Sequence, residues 1–418
     1  MKLKDLRTHF TPEQDFYELP NSMPAIYSKK GEKGKLELEV GSVPIPEISY
    51  DEALIAVMSA GINYNTIWTA RGEPVSTFDF LKRHALTNNT KQSHNLDYHI
   101  PGSDASGFIV KLGTEDTNWK IGKEVVINCN WHRNDDPQVF EDSLLSSEQK
   151  IWGYETNFGS LAAFSIVKIH QLMPKPSILN WYEASSYSLV FSTAYRMLIS
   201  NNGANIRPGD KVLIWGGSGG LGLSAIQICN LVGAMPIPVV SSDEKGKALK
   251  KLGVDKFINR KKEKLNFWSG NNHDMLGWRK FKNLIIKRFG VLPNVVFEHP
   301  GKETMAASIY VLSKGGKVVT CAATSGYDIS YDNRYLWMES KSIIGCHFAN
   351  PKESINASLL LSNGNIKPFI SSIYDFNNIN DALGKFVENS GFGKIVIRIL
   401  APDSKKFNFK SNIFNINE

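Results

Sequence analysis

The chain holds 418 residues, 42% hydrophobic and 21% charged, a globular composition too long for one ordinary core, so two domains are expected and no large disordered region is required. Its formal charge of +7 comes from scattered lysines and arginines, not from a basic tract, which favours a small anionic partner and argues against nucleic acid. Four cysteines at positions 129, 229, 321 and 346 show no C-x-x-C spacing, so neither a structural metal site nor a disulfide framework is indicated, and a reducing, cytoplasmic setting is expected. No apolar run reaches spanning length and Met1-Lys-Leu-Lys-Asp-Leu-Arg7 lacks a signal-type apolar core, so no membrane attachment is expected.

In chain order, residues 1 to about 46 are mixed and polar, with one strand-like run at Lys35–Val40. Ala53–Ala60 reads as a buried strand that runs into Gly61-Ile-Asn-Tyr-Asn-Thr-Ile-Trp68. Residues 71–100 are polar and irregular and read as an inserted loop or lid outside the core. The turn Pro101–Gly107 leads into a strand at Phe108–Leu112, and Trp119–Ile127 supplies another turn and strand. This turn-rich half predicts a partly open β-barrel. A polar stretch, Asn130–Gln149, precedes Ile151-Trp-Gly-Tyr-Glu-Thr-Asn-Phe-Gly159, and helical spacing runs from about Asn180 to Leu198. From Lys211 to Ile344 strands and helices alternate, the pattern of a doubly wound parallel sheet. Beyond Gly345 come helices at Lys352–Leu361 and near Ile379–Asn389, and a closing strand Lys394–Ile399 that is expected to return to the first domain. The reading is α/β, with domains at 1–185, 186–345 and 346–418.

The stretch Lys211-Val-Leu-Ile-Trp-Gly-Gly-Ser-Gly-Gly-Leu-Gly222 carries the most specific chemistry. A short buried strand, a glycine turn and a helix follow in that order, with Gly217, Gly219 and Gly222 at G-x-G-x-x-G spacing and Ser218, Gly220 and Leu221 between them. Such a turn lets backbone N–H groups approach a pyrophosphate at the positive end of a helix. The next strand, Pro236–Val240, ends in Ser241-Ser242; Lys245 follows within a turn, and Arg260 closes the strand after it. Small hydroxyls and cations suit the 2′-phosphate of NADPH, where an NAD site places an acid. Asp243 and Glu244 remain alternative ribose ligands, and Lys245 is alternatively a solvated helix charge.

Longer motifs point further. Asn63–Trp68, Glu73-Pro-Val-Ser-Thr-Phe78, Ile151–Gly159, Phe297-Glu-His-Pro-Gly301, Tyr331-Asp-Asn-Arg-Tyr-Leu-Trp-Met338 and His347-Phe-Ala-Asn350 span most of the chain. Together they resemble the crotonyl-CoA carboxylase/reductases of the medium-chain dehydrogenase/reductase superfamily. The resemblance implies a GroES-like barrel with an inserted Rossmann domain, NADPH as cofactor, and a homotetramer. It implies reductive carboxylation: hydride adds to the β-carbon of an enoyl-CoA, and the enolate then attacks CO2. It also implies a CO2 pocket at Asn65, Tyr154, Glu155 and His347, and CoA contacts at Arg334 and Tyr335. The plainer readings are a backbone-capping Asn65, a surface ion pair for Glu155, a packed histidine at His347, and an Arg334–Asp332 pair. The zinc-dependent cousins present Cys and a Gly-His-Glu segment where this chain has Gly61-Ile62-Asn63 and Gly102-Ser103-Asp104, so no metal is expected. Rival readings are a plain enoyl-CoA reductase, a quinone reductase, and a non-enzymatic NADPH-binding protein.

Overall fold

The run Glu52–Gly61 is buried along its whole length, as an uninterrupted apolar segment must be when both of its edges and faces are covered. It anchors one of two units in the computed structural model, which describes residues 2–31, 33–87, 93–388 and 391–406. The first unit is built from the chain up to Leu189 and from Asn350 onward; the second is Val190–Ala349.

The first segment forms α1 (Leu3–His9), β1 (Ser22–Lys29), β2 (Glu39–Pro44), β3 (Glu52–Gly61), α2 (Tyr64–Arg71), α3 (Thr77–Leu86), β4 (Tyr98–His99), β5 (Ala105–Leu112), β6 (Glu124–Ile127), β7 (Asn130–Trp131), α4 (Val139–Asp142), β8 (Lys150–Ile151), β9 (Phe164–Lys168), β10 (Leu172–Pro174), α5 (Trp181–Ala184) and α6 (Ser188–Leu198). The second unit continues with β11 (Lys211–Ile214), α7 (Gly220–Val232), β12 (Met235–Val240), α8 (Asp243–Ala248), β13 (Ile258–Asn259), β14 (Trp268–Ser269), β15 (Asn272–His273), α9 (Met275–Phe289), β16 (Val295–Glu298), α10 (Met305–Val311), β17 (Lys317–Thr320), α11 (Arg334–Trp337) and β18 (Ser342–Gly345). The return segment adds α12 (Pro351–Ser362), β19 (Ile370–Asp375), α13 (Ile379–Val387) and β20 (Lys394–Arg398).

In the first unit the main sheet runs β10-β6-β5-β3-β20-β19. β5 pairs with one edge of β3, while β9 and β20 share the other edge, opposite Glu52–Ala56 and Ser59–Gly61 respectively. The closing strand therefore does return to the first unit. In the second unit six parallel strands run β13-β12-β11-β16-β17-β18. The order reverses at β11: β12 and β13 lie to one side, β16 to β18 to the other. Ligands of open α/β sheets bind at such a switch point, beyond the strands' carboxyl ends. The glycine turn and His299 leave the sheet there. Its core packs Trp215, Phe267, Trp278 and Phe281 around Leu213, Val239 and Ile285.

Several local expectations change. Of residues 71–100, positions 88–92 lie outside the described residues; the others are not an irregular lid: α3 buries Leu81, His84 and Ala85, and His99 is fully buried with its ring nitrogens bonded to Thr77 Oγ1 and the Thr156 carbonyl. Histidines that count as polar in a pattern here face inward. The strand expected at Lys35–Val40 begins only at Glu39. β1, broken in pattern by Pro24, and β19 and the β14–β15 hairpin were not legible. The strand expected to close at Arg260 ends at Asn259, as the two-residue β13.

Candidate active site

The cofactor cradle is assembled from three glycines with different duties. A side chain at Gly217 would stand 2.8 Å from Pro238 Cβ, and one at Gly222 would stand 2.3 Å from the Gly216 carbonyl oxygen, so both positions need bare backbone for packing. At Gly219 the nearest atom to an added Cβ is 3.5 Å away; this glycine borders open space, where a pyrophosphate would approach. Gly219 is also the N-cap of α7, and Gly220, Leu221 and Gly222 form its first turn. Ser218 is buried in the turn. Beside it, His299 Nε2 is 3.0 Å from the Trp215 carbonyl, which fixes the entry to the turn; burial pushes its imidazole down, so it donates as a neutral ring. These residues fit a dinucleotide.

The ribose end fits a phosphate better than a diol. Asp243, the candidate acid, is engaged by Asn259 Nδ2 at 2.9 Å and Lys262 Nζ at 2.8 Å. Ser242 caps α8, its oxygen accepting the Lys245 N–H at 3.3 Å, and Ser241 precedes it half-buried. Lys245 is buried, not solvated; burial and then the nearby Lys261 charge push its ammonium down. A second cation near a buried one favours an anion close by. In the sequence Lys261 carries no signal that separates it from its neighbour Arg260. The Arg260 guanidinium reaches Glu303 at 3.7 Å and lines, with Trp268, Lys302 and Ser330, a cleft of about 730 Å³ in the second unit.

Arg334 binds Asp332 in its own turn at 2.6 Å and remains largely exposed. Tyr335 packs edge-on against Tyr310, centroids 5.0 Å apart, at the margin of the second unit's core. His347 is exposed just past β18 in this unit, followed by Phe348, which is buried at φ 68.

Asn65, Tyr154 and Glu155 lie in the first unit. Asn65 sits half-buried in the first turn of α2, its Nδ2 3.5 Å from Ser103 Oγ. One helical turn on, Trp68 packs against Tyr154 with centroids 6.0 Å apart, and Phe80 of α3 meets the same Tyr154 ring at 5.6 Å. Residues 151–159 hold Tyr154 in place by dense packing: side chains at Gly153 and Gly159 would strike the Gly102 carbonyl at 2.0 and 2.6 Å. Asn157 accepts the Ile100 N–H at 2.9 Å and donates to the Tyr98 carbonyl at 2.8 Å. Glu155 spends one oxygen on the Ile151 N–H at 2.8 Å, clamping the turn. Ser103 had no signal of its own beyond the Gly-Ser-Asp triplet.

Two family models match parts of the chain: an alcohol dehydrogenase GroES-like domain at residues 49–177 and a zinc-binding dehydrogenase at residues 220–363. A crotonyl-CoA reductase of Streptomyces avermitilis is 44% identical over 91% of this chain and 86% of its own length. A crotonyl-CoA carboxylase/reductase of Cereibacter sphaeroides is 38% identical over 95% and 94%. The chain belongs to the crotonyl-CoA carboxylase/reductase family. A solved 2-octenoyl-CoA carboxylase reductase in complex with NADP and 2-octenoyl-CoA superposes with TM-score 0.89 at 38% identity, covering 96% of this chain and 92% of that one. This carboxylase/reductase family member is thus an oxidoreductase with a GroES-like domain and a Rossmann-type parallel sheet.

The zinc in one model's description does not fit this family member. Among the described residues no three His, Cys, Asp or Glu side chains form a metal-ligating group. Where the sequence carries Asn63, Ser103 and Asp104, the structure places the Lys394 ammonium, 3.1 Å from Asp104 Oδ2. A buried ammonium beside a single carboxylate repels a divalent cation. Among the described residues no helix is long and apolar enough to cross a membrane.

Proposed function

We propose that this chain catalyses NADPH-dependent reductive carboxylation of an α,β-unsaturated acyl-CoA, converting crotonyl-CoA and CO2 to ethylmalonyl-CoA. The observation that carries the reading is α2: it presents the Asn65 carboxamide beside Ser103 and, one turn on, the Trp68 ring against Tyr154. The named relatives, a crotonyl-CoA reductase, a crotonyl-CoA carboxylase/reductase and a 2-octenoyl-CoA carboxylase reductase, support the substrate class.

When bound, NADPH supplies the hydride that the substrate β-carbon receives. Gly217, Ser218, Gly219, Gly220, Leu221 and Gly222 hold its pyrophosphate, Ser241, Ser242, Lys245 and Lys261 its 2′-phosphate, and Arg260 lies on the adenosine side. The substrate enolate then has two fates at its α-carbon, a proton or CO2. CO2 is apolar as a whole with partial negative charge on its oxygens, so an amide N–H from Asn65 stabilises the carboxylate as it forms. Tyr154, walled by Trp68 and Phe80, keeps bulk water from protonating the enolate. Glu155 holds the turn that carries Tyr154, and His347 is assigned a water that bonds the second carboxylate oxygen. Arg334 offers its guanidinium to the CoA phosphates and Tyr335 a stacking face to the adenine.

A homotetramer in the cytoplasm belongs to the same reading. The edge strand β18 and neighbouring α11 expose Ile343, Trp337 and Met338, a surface suited to a second copy. The test is NADPH oxidation by the purified protein with crotonyl-CoA, with and without bicarbonate, followed by mass analysis of the acyl-CoA. The reading requires ethylmalonyl-CoA when bicarbonate is present and butyryl-CoA when it is withheld; butyryl-CoA alone in both arms would make the enzyme a plain reductase.

A further inference from the structure

Three chain segments meet in one buried polar cluster inside the first unit. Lys394, the first residue of β20, is 5% exposed, Asp104 0% and Asn63 6%. The Lys394 ammonium donates to the Ile62 carbonyl at 2.7 Å, to Asn63 Oδ1 at 2.5 Å and to Asp104 Oδ2 at 3.1 Å. An ammonium has three donors and no acceptor, so this head group is fully satisfied. Asp104 Oδ2 also accepts Asn63 Nδ2 at 2.8 Å, and its Oδ1 accepts the Leu189 N–H at 2.7 Å. A closed network of this kind admits one arrangement of its members.

For stability alone the cluster is a poor choice, because a buried ion pair is commonly matched or bettered by apolar side chains of similar size. Its placement says more. Asn63 is the N-cap residue of α2, at φ −128 and ψ 170, yet its side chain makes no cap hydrogen bond. An asparagine there ordinarily accepts a first-turn N–H. Here its carboxamide is bonded on both atoms to Lys394 and Asp104 instead. The start of α2 is therefore anchored sideways to the sheet. Asn65 lies two residues beyond Asn63, and Ser103 lies immediately before Asp104; these are the two partners of the 3.5 Å contact at the site.

We propose that Lys394 and Asp104 are positioning residues for the carboxylation step: the fixed ammonium locks Asn63 and Asp104 together and so sets the Asn65 carboxamide relative to Ser103. This rests on the reading of Asn65 as the group that meets CO2. In a chain matched to a zinc-binding dehydrogenase model, the organising cation is a side chain. Burial pushes the Lys394 ammonium down, and the Asp104 carboxylate opposes that shift.

The experiment compares N63A, the double variant K394M/D104N and N65A with wild type, each checked for folding by thermal melting. N63A keeps the ion pair and cuts its link to α2; the double variant removes both charges, avoiding the unpaired buried Asp104 that K394M alone would leave. At fixed bicarbonate and saturating crotonyl-CoA, both are expected to lower the ethylmalonyl-CoA to butyryl-CoA ratio about tenfold, in the direction of N65A, while NADPH oxidation falls less. A purely structural role would lower total rate and leave the ratio alone. If N65A lowers the ratio and folded N63A retains the wild-type value, the positioning role is overturned and the reading of Asn65 survives. If N65A itself retains the wild-type ratio, or wild type makes no ethylmalonyl-CoA, that reading falls and the positioning role falls with it.

Discussion

Lys245 illustrates how one residue changes meaning between sequence and structure. By pattern it was as much a solvated helix charge as a phosphate ligand; in the fold it is buried with Lys261 close enough to depress it. A phosphate dianion would relieve that repulsion. Lys245→Ala is therefore expected to weaken NADPH about tenfold, the loss of one charge-assisted hydrogen bond, and to leave NADH nearly unchanged; titration of both cofactors decides it, and equal losses would remove Lys245 from the phosphate site. For the proposed carboxylation step, Asn65→Leu removes the amide assigned to the new carboxylate, and His347→Asn removes the imidazole assigned to its second oxygen. Loss of one polarising contact corresponds to a ten- to hundredfold shift of partition toward butyryl-CoA, roughly 1.4–3 kcal/mol. Product ratios at fixed bicarbonate measure it, and a fall in rate without a change in ratio would speak against both assignments. Glu155 is expected to act more weakly on the ratio, because its carboxylate already clamps the Ile151 N–H.

At the scale of elements, the carboxyl end of β16 carries a device with a pH signature. Glu298 is fully buried and accepts from Thr304 Oγ1 at 2.7 Å, Ser308 Oγ at 2.6 Å and the Gly301 N–H at 3.1 Å; Ser308 in turn accepts the Trp215 indole N–H at 2.8 Å. It ties the loop after β16 and the start of α10 to the strand that enters the glycine turn. Burial outweighs these bonds and raises its carboxyl from 4.5 to about 7. A raised acid holds its proton longer folded than unfolded, so stability falls as pH rises between those two values and the cost is complete above the upper one. The loss attributable to Glu298 is about 3 kcal/mol across that window. Melts of wild type and Glu298→Gln from pH 5 to pH 8 check this: the slope belongs to Glu298 only if the variant lacks it. Elements also show where pattern reading stopped. The glycine turn and the alternation from Lys211 to Ile344 were legible because glycine sterics and apolar periodicity are local. The α3 helix was not, since its buried face includes His84 and Thr77. The cluster beneath α2 was not either: Lys394 looks like an ordinary charge at a strand end, and only the return of β20 to β3 brings it to Asn63 and Asp104.

At the scale of the whole molecule, the chain forms two compact units: one carries the glycine turn and His347, the other Asn65, Tyr154 and Glu155. The parallel sheet ends in β18, which exposes Ile343, and Trp337 and Met338 nearby in sequence are also exposed; this is the surface proposed for self-association. Ile343→Lys is expected to lower the molar mass seen by light scattering, since a charge on a pairing edge opposes association; an unchanged mass would place the interface elsewhere. Under the proposed function, each reductive event at the β-carbon is followed by capture of CO2 at the α-carbon. The most direct measurement is the stoichiometry of ¹³C-bicarbonate incorporated into acyl-CoA per NADPH oxidised, with crotonyl-CoA at saturating bicarbonate. The account predicts a ratio near one, with the label in the new carboxylate of ethylmalonyl-CoA. NADPH consumed with a ratio near zero and unlabelled butyryl-CoA as product would contradict it.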